Sequence, residues 1–344
     1  MDGARRHRSL RRRGQRRALR LRRHRCLCRG PGLAGRRVSE PVLTPTRGPL
    51  PAARVRVLSQ RSSWKGALQL GSHLAALALS GTALAWTWGS WWALPLWAVH
   101  GVLLNYTYAA QHELSHNTVF ASRRANALWG RFFGFLNLYP RDYDRHHHLR
   151  HHRHTGDPDQ DAELAFRTPY TLGSYLLYLL GPSYWWGRVR AIVGCALGRF
   201  GAYPLPPDVH RRLAREAQVH LLLYAVLAAL SLWLGSSWLL ILWFGPLLTM
   251  RWAHNLQNTV EHTGMAEVPD LLRSTRTVRA GPVWRWLGWQ MAYHTAHHAY
   301  PSVPFHRLSD LHRSLFDGRA KPVEVGYWQF QRDVLVRLAR GERL

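Results

Sequence analysis

Two long stretches of the chain are apolar and carry no basic residue. Residues 66–122 contain no Lys or Arg and a single acidic residue, Glu113, and residues 216–250 also lack Lys and Arg. Each stretch has about the length of two helices of roughly 20 residues joined by a tight turn, which is what crossing a bilayer core of about 30 Å requires. The turns are expected at the sequences TWGS and GSS. The pattern predicts an all-α polytopic membrane protein whose four transmembrane helices form two hairpins.

Tryptophans lie close to both predicted turns. Tryptophan is enriched at membrane–water interfaces, which favours membrane hairpins over a tryptophan-rich soluble core. The residues concerned are Trp86, Trp88, Trp91, Trp92, Trp233 and Trp238. Because neither turn contains Lys or Arg, the positive-inside rule predicts that both termini and the segment between the hairpins are cytosolic. We therefore expect a multi-pass protein of the bacterial inner membrane.

The segment between the hairpins contains one further apolar piece, YTLGSYLLYLLGPSYWWG. Gly181 and Pro182 interrupt it, which favours an interfacial helix over a fifth span.

Basic residues are concentrated at the N-terminus. The 344-residue chain has 47 Lys and Arg against 19 Asp and Glu, a formal net charge of +28, and 20 of the basic residues precede residue 66. Residues 1–62 are Arg-rich and low in complexity, which predicts a disordered tail. Such a tail fits an anionic membrane face, a targeting segment or a wrongly assigned start codon.

The rest of the chain is expected to form one functional unit. We predict a catalytic domain at residues 63–320 and a cytosolic C-terminal segment at residues 321–344. Its remaining positive charge is explained by the topology, so we do not expect nucleic acid as a partner. Three cysteines cannot form a disulfide framework.

Histidines recur at helical spacing where the predicted helices reach the cytosol. His112 and His116 are four residues apart in HELSH and share one helical face, although such a pair alone is weak evidence. Two HxxHH sequences follow, in which positions i, i+3 and i+4 present neighbouring nitrogens. Their histidines are His148, His151 and His152 in HLRHH and His294, His297 and His298 in HTAHH.

A ninth candidate, His262, follows the last predicted span, with Asn258 four residues earlier on the same face. Nine imidazoles exceed the four ligands that close one zinc site and therefore suit two metal ions. Imidazole ligands do not choose between iron, zinc, copper and nickel, whereas the lack of ligating cysteine argues against an iron–sulfur centre. The second set has one ambiguity of frame, because His147 is also four residues before His151.

Carboxylates accompany each histidine set. Metal-bound imidazoles commonly donate their outer N–H to a carboxylate, which fixes the tautomer and the ring orientation. The candidates for this role are Glu113, Asp157, Asp161 and Glu261. For the sequence TGDPDQD the alternative is a polar turn with Asx caps.

These motifs resemble the membrane fatty acid desaturase superfamily, whose three histidine boxes are HxxxH, HxxHH and HxxHH. The resemblance extends to HHRHTGDPDQD, VEHTG and HHAYPSVPFHRL and covers about residues 64–312. It implies four spans, a cytosolic cap and a non-haem di-iron centre that uses dioxygen to attack an unactivated C–H bond. The eight box histidines and His262 match the family's ligands, and Asn258 matches an asparagine that reaches a metal through water. Gln290 stands where many relatives have Asn, which leaves a role for that amide in doubt.

The resemblance also implies the reaction and its partners. We expect an oxidoreductase that desaturates the acyl chain of a lipid or of acyl-CoA. Because no nicotinamide, flavin or haem motif occurs in the chain, electrons must come from a separate ferredoxin or cytochrome b5-like carrier. The rival on the same scaffold is a hydroxylase, ketolase or monooxygenase acting on a lipid, carotenoid or hydrocarbon. A histidine-rich metal-storage or adaptor protein is the alternative from another class.

Overall fold

A computed structural model describes residues 50–161, 163, 170–200, 205–318 and 321–344, and these residues are mostly helical. The greater part of the predicted N-terminal tail lies outside them. Two helices in this described part, α2 (Ser63–Thr87) and α8 (Pro207–Trp233), are long and apolar enough to cross a membrane. Within the described residues, the helices at the other two predicted spans do not meet the same test of length and apolar composition.

The first predicted hairpin consists of α2 and α3 (Ala93–Ser115), which pack along each other. The Ser62 side chain begins α2 by accepting a hydrogen bond from the Lys65 amide. The turn between the helices falls at the predicted TWGS, where Gly89 has a φ of +92°. Helix α3 buries polar side chains along its length, including Asn105 and Gln111. It is therefore less uniformly apolar than α2.

The second predicted hairpin is more open. Helix α8 ends at Trp233, and the chain returns through a π-helical turn (Leu240–Phe244), α9 (Gly245–Thr249) and α10 (Arg251–His262). The return segment packs against α3, where an ideal Cβ on Gly101 would lie 2.6 Å from the Pro246 carbonyl oxygen. Helix α8 packs mainly against α7 (Pro182–Ala196). Four membrane spans therefore remain a prediction.

Apolar side chains are exposed on the outside of both long helices. Leu79 of α2 is 73% exposed, and Leu222 and Leu232 of α8 are 64% and 83% exposed. Soluble proteins rarely expose so much contiguous apolar surface, which fits a surface covered by lipid.

The segment between the hairpins contains α4 (Arg123–Leu136), α5 (Arg141–His154), α6 (Leu172–Leu180) and α7. Gly181, with φ +81°, separates α6 from α7, as predicted for the apolar piece at this position. With 9 and 15 residues, α6 and α7 fall short of the roughly 20 residues of a span.

The C-terminal third forms a cap of short elements. They are α11 (Leu271–Ser274), β1 (Arg276–Arg279), α12 (Pro282–Leu287), α13 (His294–Ala299), α14 (Leu308–Phe316), β2 (Val323–Gly326) and α15 (Tyr327–Ala339). Strands β1 and β2 pair in parallel, with Arg276 opposite Val323. The all-α prediction is therefore correct except for this small sheet. Strand β2 pairs with β1, and α15 packs against α6 and α10, so the described residues 321–344 contribute to this cap.

The N-terminal boundary also needs correction. Residues Ala52–Leu58 form a helix, α1, and the buried Leu50 and Leu58 pack beside Leu308 in the core of the cap. The Leu50 amide donates a hydrogen bond of 3.0 Å to the Tyr300 hydroxyl. The prediction of disorder is therefore wrong for residues 50–62, whose few apolar residues find partners far along the chain.

Candidate metal centre

The structure brings all nine candidate histidines together at one end of the bundle. Helix α3 ends there, with His112 in its last turn and His116 directly after its last residue. Helix α5 contributes His148, His151 and His152, α10 contributes His262, and α13 contributes His294, His297 and His298. Helical spacing aligns the members of each set, and the crossing of four helices unites the sets.

The first cluster contains five imidazoles, each offering one nitrogen within 4.8 Å of the others: His112, His116, His148, His152 and His297. The closest pairs are of Nε2 atoms. His148 Nε2 lies 2.9 Å from His116 Nε2 and 2.8 Å from His152 Nε2, and His112 Nε2 lies 2.9 Å from His297 Nε2.

The second cluster contains His151, His262 and His298, whose nitrogens also lie within 4.8 Å of one another. His294 joins it, because its Nε2 lies 2.7 Å from His262 Nε2 and 3.0 Å from His298 Nε2. The clusters adjoin through His152 and His298, whose rings stack at 4.2 Å. The arrangement is five nitrogens beside four.

Outer hydrogen bonds fix the tautomers of the second cluster. His262 Nδ1 donates to the Ser274 carbonyl at 2.9 Å. Thr155 Oγ1 gives its own hydrogen to the His151 carbonyl at 2.7 Å, so it accepts from His298 Nδ1 at 3.0 Å. Each of these rings has its hydrogen on Nδ1. The Nε2 atoms of His262 and His298 therefore carry lone pairs.

These lone pairs converge on His294 Nε2. One hydrogen on that nitrogen satisfies only one of its two neighbours, whereas a cation satisfies all three. Nitrogen ligands about 2.1 Å from one metal ion and at right angles to each other lie about 3 Å apart. The observed separations of 2.7 and 3.0 Å fit that requirement.

Burial favours the neutral form of three of the clustered imidazoles. Desolvation, reinforced by neighbouring histidines, lowers the pKa of His152, His297 and His298 well below the usual value. A neutral imidazole is the form that binds a metal ion. The donor set and its protonation state both fit two metal ions.

Three of the four candidate carboxylates face imidazoles. His151 Nδ1 donates to Asp161 Oδ1 at 2.8 Å, and both side chains are buried. Glu113 Oε1 lies 3.7 Å from His297 Nδ1, and Glu261 Oε1 lies 3.9 Å from His294 Nδ1. Asp161 is hydrogen-bonded to its imidazole and orients it from outside, whereas Glu113 and Glu261 lie beside theirs at more than hydrogen-bond distance.

Asp157 has a different place from the one expected of it. It accepts hydrogen bonds from the Asp159 amide at 2.9 Å and from the Gln160 side chain at 3.0 Å. It therefore stabilises the TGDPDQD turn, as the Asx-cap alternative proposed. The TGDPDQD turn then places Asp161 beside His151.

Asn258 lies on α10 one turn before His262 and is half-buried, near the Tyr178 side chain. Its water-mediated role stays a prediction. Within the described residues, His147 belongs to neither cluster, whereas the adjacent His148 lies inside the first one. The geometry thus favours the frame His148, His151 and His152.

Sequence reasoning missed three residues that contact the imidazoles. Glu163 has Oε1 3.8 Å from His148 Nδ1 and Oε2 3.7 Å from His151 Nε2, the nitrogen opposite the one that Asp161 holds. Burial favours its neutral form, but His151 and His148 outweigh that effect and hold the pKa of this carboxylate well below its usual value. Its position two residues after Asp161 was the available signal. The Ser274 carbonyl had no signal, because any residue supplies a backbone oxygen. Thr155 had none either, because its hydroxyl meets a histidine 143 residues along the chain.

Comparison with known proteins gives consistent matches. The fatty acid desaturase family model matches residues 87–331. A sphingolipid delta(4)-desaturase of Drosophila melanogaster is 26% identical over 258 residues, 72% of each chain. One from Mus musculus is 35% identical over 108 residues, 29% of this chain and 31% of the relative. A sphingolipid delta(4)-desaturase/C4-monooxygenase of Bos taurus is 26% identical over 233 residues, 64% of each chain.

Proposed function

Because the chain belongs to the fatty acid desaturase family, we propose that it introduces a double bond into the hydrocarbon chain of a lipid at a histidine-bound di-iron centre. Membership makes it an oxidoreductase that acts on lipids. The observation that carries the finer proposal is the pair of adjoining imidazole clusters with converging, unprotonated nitrogens.

The nine histidines are the proposed iron ligands, five in the first cluster and four in the second. When bound, the two iron ions supply the activation of dioxygen that C–H cleavage demands. The chain's own residues hold the ligands in place: Asp161 orients His151, the Ser274 carbonyl orients His262, and Thr155 orients His298. Oriented imidazoles bind metal more tightly, because less order must be imposed on binding.

We further propose that the two predicted hairpins, α2 with α3 and α8 with its return segment, lie in a membrane, with the clusters at its cytosolic side. Helices α2 and α8 support this by length and composition, and their outer faces are apolar. A lipid chain in the bilayer can then reach the end of α3 without crossing water. The absence of Lys and Arg from both turns supports cytosolic termini.

An external carrier completes the proposal. Each turnover needs two electrons beyond those of the C–H bonds, and a ferredoxin or cytochrome b5-like protein is the proposed source. The surface near the clusters bears basic side chains such as the exposed Arg153. An acidic carrier would dock there with an affinity that falls as salt rises.

The relatives favour a sphingolipid-like substrate among the lipids. One of them is also named a C4-monooxygenase, so hydroxylation on the same centre is the second candidate. Desaturation and hydroxylation share the first C–H cleavage and differ in whether a second hydrogen leaves or oxygen enters.

Lipid profiling of cells that express the full chain tests the function. We expect a lipid that has lost two hydrogen atoms, absent with His298→Ala and retained with His146→Ala, which replaces a histidine of the tract around His148 that lies outside both clusters. A lipid that has instead gained one oxygen atom would replace desaturation by hydroxylation. Unchanged lipids, with the protein present and iron-loaded, would refute both.

A further inference from the structure

A second concave site lies just beyond the end of α10. It is a cleft of about 590 Å³ between residues 263–266, α11, β1, β2 and α15, within the size range of small-molecule sites. We call it the Arg276 cleft. Its walls include Met265, Leu272, Arg273, Arg276, Val325 and Phe330.

Arg276 is a buried cation without an acidic partner in the described part of the chain. It is 5% exposed, and its Nε is buried with no hydrogen-bond acceptor. One Nη donates to the Thr263 carbonyl at 2.6 Å, and the guanidinium lies 4.6 Å from the centre of the Phe330 ring. Burial lowers the pKa of Arg276 to about 10. A buried charge that is only partly compensated is costly unless a ligand completes it.

The charges around the cleft leave room for an anion. Asp333, which lines the cleft, is paired with Arg332 at 2.9 Å, and Arg337 is paired with Glu342 at 2.7 Å. Arg273 is exposed at the rim and, like Arg276, forms no ion pair within the described residues. The guanidiniums of Arg273 and Arg276 thus face a cavity whose described walls carry one acidic side chain, that of Asp333, which is paired with Arg332, and the C-terminal Leu344.

Much of the remaining lining is apolar. Met265, Leu272, Val325 and Phe330 supply this apolar surface, and Phe330 lies against the Arg276 guanidinium. This combination matches a molecule with one oxyanion on a hydrocarbon body rather than a free inorganic anion.

From this geometry we propose that the Arg276 cleft binds an anionic amphiphile, with its phosphate or carboxylate on Arg276 and Arg273 and its hydrocarbon part on the apolar walls. The site is separate from the metal centre but is built on the same chain segments. Thr263, which accepts from Arg276, directly follows His262, and the Ser274 carbonyl accepts a hydrogen bond from His262 Nδ1. The inference does not depend on the reaction catalysed.

Calorimetric titration of the full chain in nanodiscs of zwitterionic lipid tests the proposal, with empty nanodiscs as the blank. The probes are hexyl phosphate, hexanoate, hexanol and inorganic phosphate. We expect the two amphiphilic anions to bind at least tenfold more tightly than hexanol or inorganic phosphate. Inorganic phosphate that binds as tightly as hexyl phosphate would overturn the role of the apolar walls.

Variants locate the binding. Arg276→Gln should weaken hexyl phosphate binding at least tenfold and leave hexanol unchanged. Arg273→Glu, at an exposed side chain that folding does not need, should weaken it several-fold, which keeps the test decisive if the first variant does not fold. Arg279→Gln is the matched control, since Arg279 lies on the same strand, faces Glu324 at 4.0 Å and is outside the cleft. Wild-type affinity in Arg273→Glu, or an equal loss in Arg279→Gln, would refute the site.

Discussion

Asp161 offers a way to weaken one of the two proposed metal sites while leaving the other intact. Its carboxylate is 3% exposed and accepts three hydrogen bonds, from His151 Nδ1 at 2.8 Å, from the Gly156 amide at 3.0 Å and from the Glu163 amide at 2.9 Å. The substitution Asp161→Asn keeps the shape and removes the charge. His151 then loses the charged acceptor that holds its tautomer and its orientation.

The expected magnitude follows from that one contact. A hydrogen bond to a charged group contributes about 1.5–3 kcal/mol. Loss of an outer partner of a metal-binding histidine typically costs ten- to a hundredfold in metal affinity, which is about 1.4–2.7 kcal/mol. The two estimates agree. We therefore expect a ten- to hundredfold weaker second site and an unchanged first site.

The assay is anaerobic iron(II) titration of the full chain in nanodiscs against a competing chelator, with bound iron per chain as the readout. Wild-type protein should bind two ions, and Asp161→Asn should retain one at wild-type affinity. Asp157→Asn is the matched control, because Asp157 serves only the neighbouring turn. If Asp161→Asn held both ions as tightly as wild type, or if the control lost the same site, the orienting role of Asp161 would be refuted.

Three further predictions follow from the same structure. His148→Ala should abolish lipid turnover and lower iron content whereas His147→Ala should do neither, and the opposite pattern would shift the ligand frame by one residue. Gly101→Ala should destabilise the protein by about 1–3 kcal/mol in thermal unfolding, because a Cβ there would lie 2.6 Å from a backbone oxygen. Gly71→Ala, with nothing within 4 Å, should be neutral or slightly stabilising, and equal effects would contradict the packing. Protein stripped of metal by a chelator should lose thermal stability as the pH falls below about 6.5. The histidines of the unfolded chain take up protons there, whereas the lowered pKa of His298 keeps that side chain neutral in the folded protein. A flat profile between pH 7 and 5 would contradict the burial of these imidazoles.

The candidate ligands could be identified from the sequence because helical periodicity is local. One helix aligns His112 with His116, and one helix aligns the histidines of each HxxHH set. The family resemblance indicated that these sets belong to one centre. The outer partners depend on chain crossings that no local pattern records. The Ser274 carbonyl reaches His262 across 12 residues, and Thr155 reaches His298 across 143.

The same distinction explains the errors in the fold. Hydropathy located α2, α8 and both turns, because apolar composition over 20 residues is a strong signal. It could not reveal that β1 pairs with β2 across more than 40 residues, or that Leu50 packs against the cap. Such long-range contacts select short segments whose own composition is unremarkable. They account for the order of residues 50–62 and for the contribution of residues 321–344 to the cap.

We propose that nine histidines hold two iron ions for lipid oxidation. Iron analysis of the purified full chain, combined with Mössbauer spectroscopy before and after addition of reductant, tests this proposal. We expect two iron ions per chain in nitrogen-rich sites, both reducible, and the loss of iron when His298 is replaced by alanine. One ion per chain, or full occupancy by zinc with no affinity for iron, would contradict it.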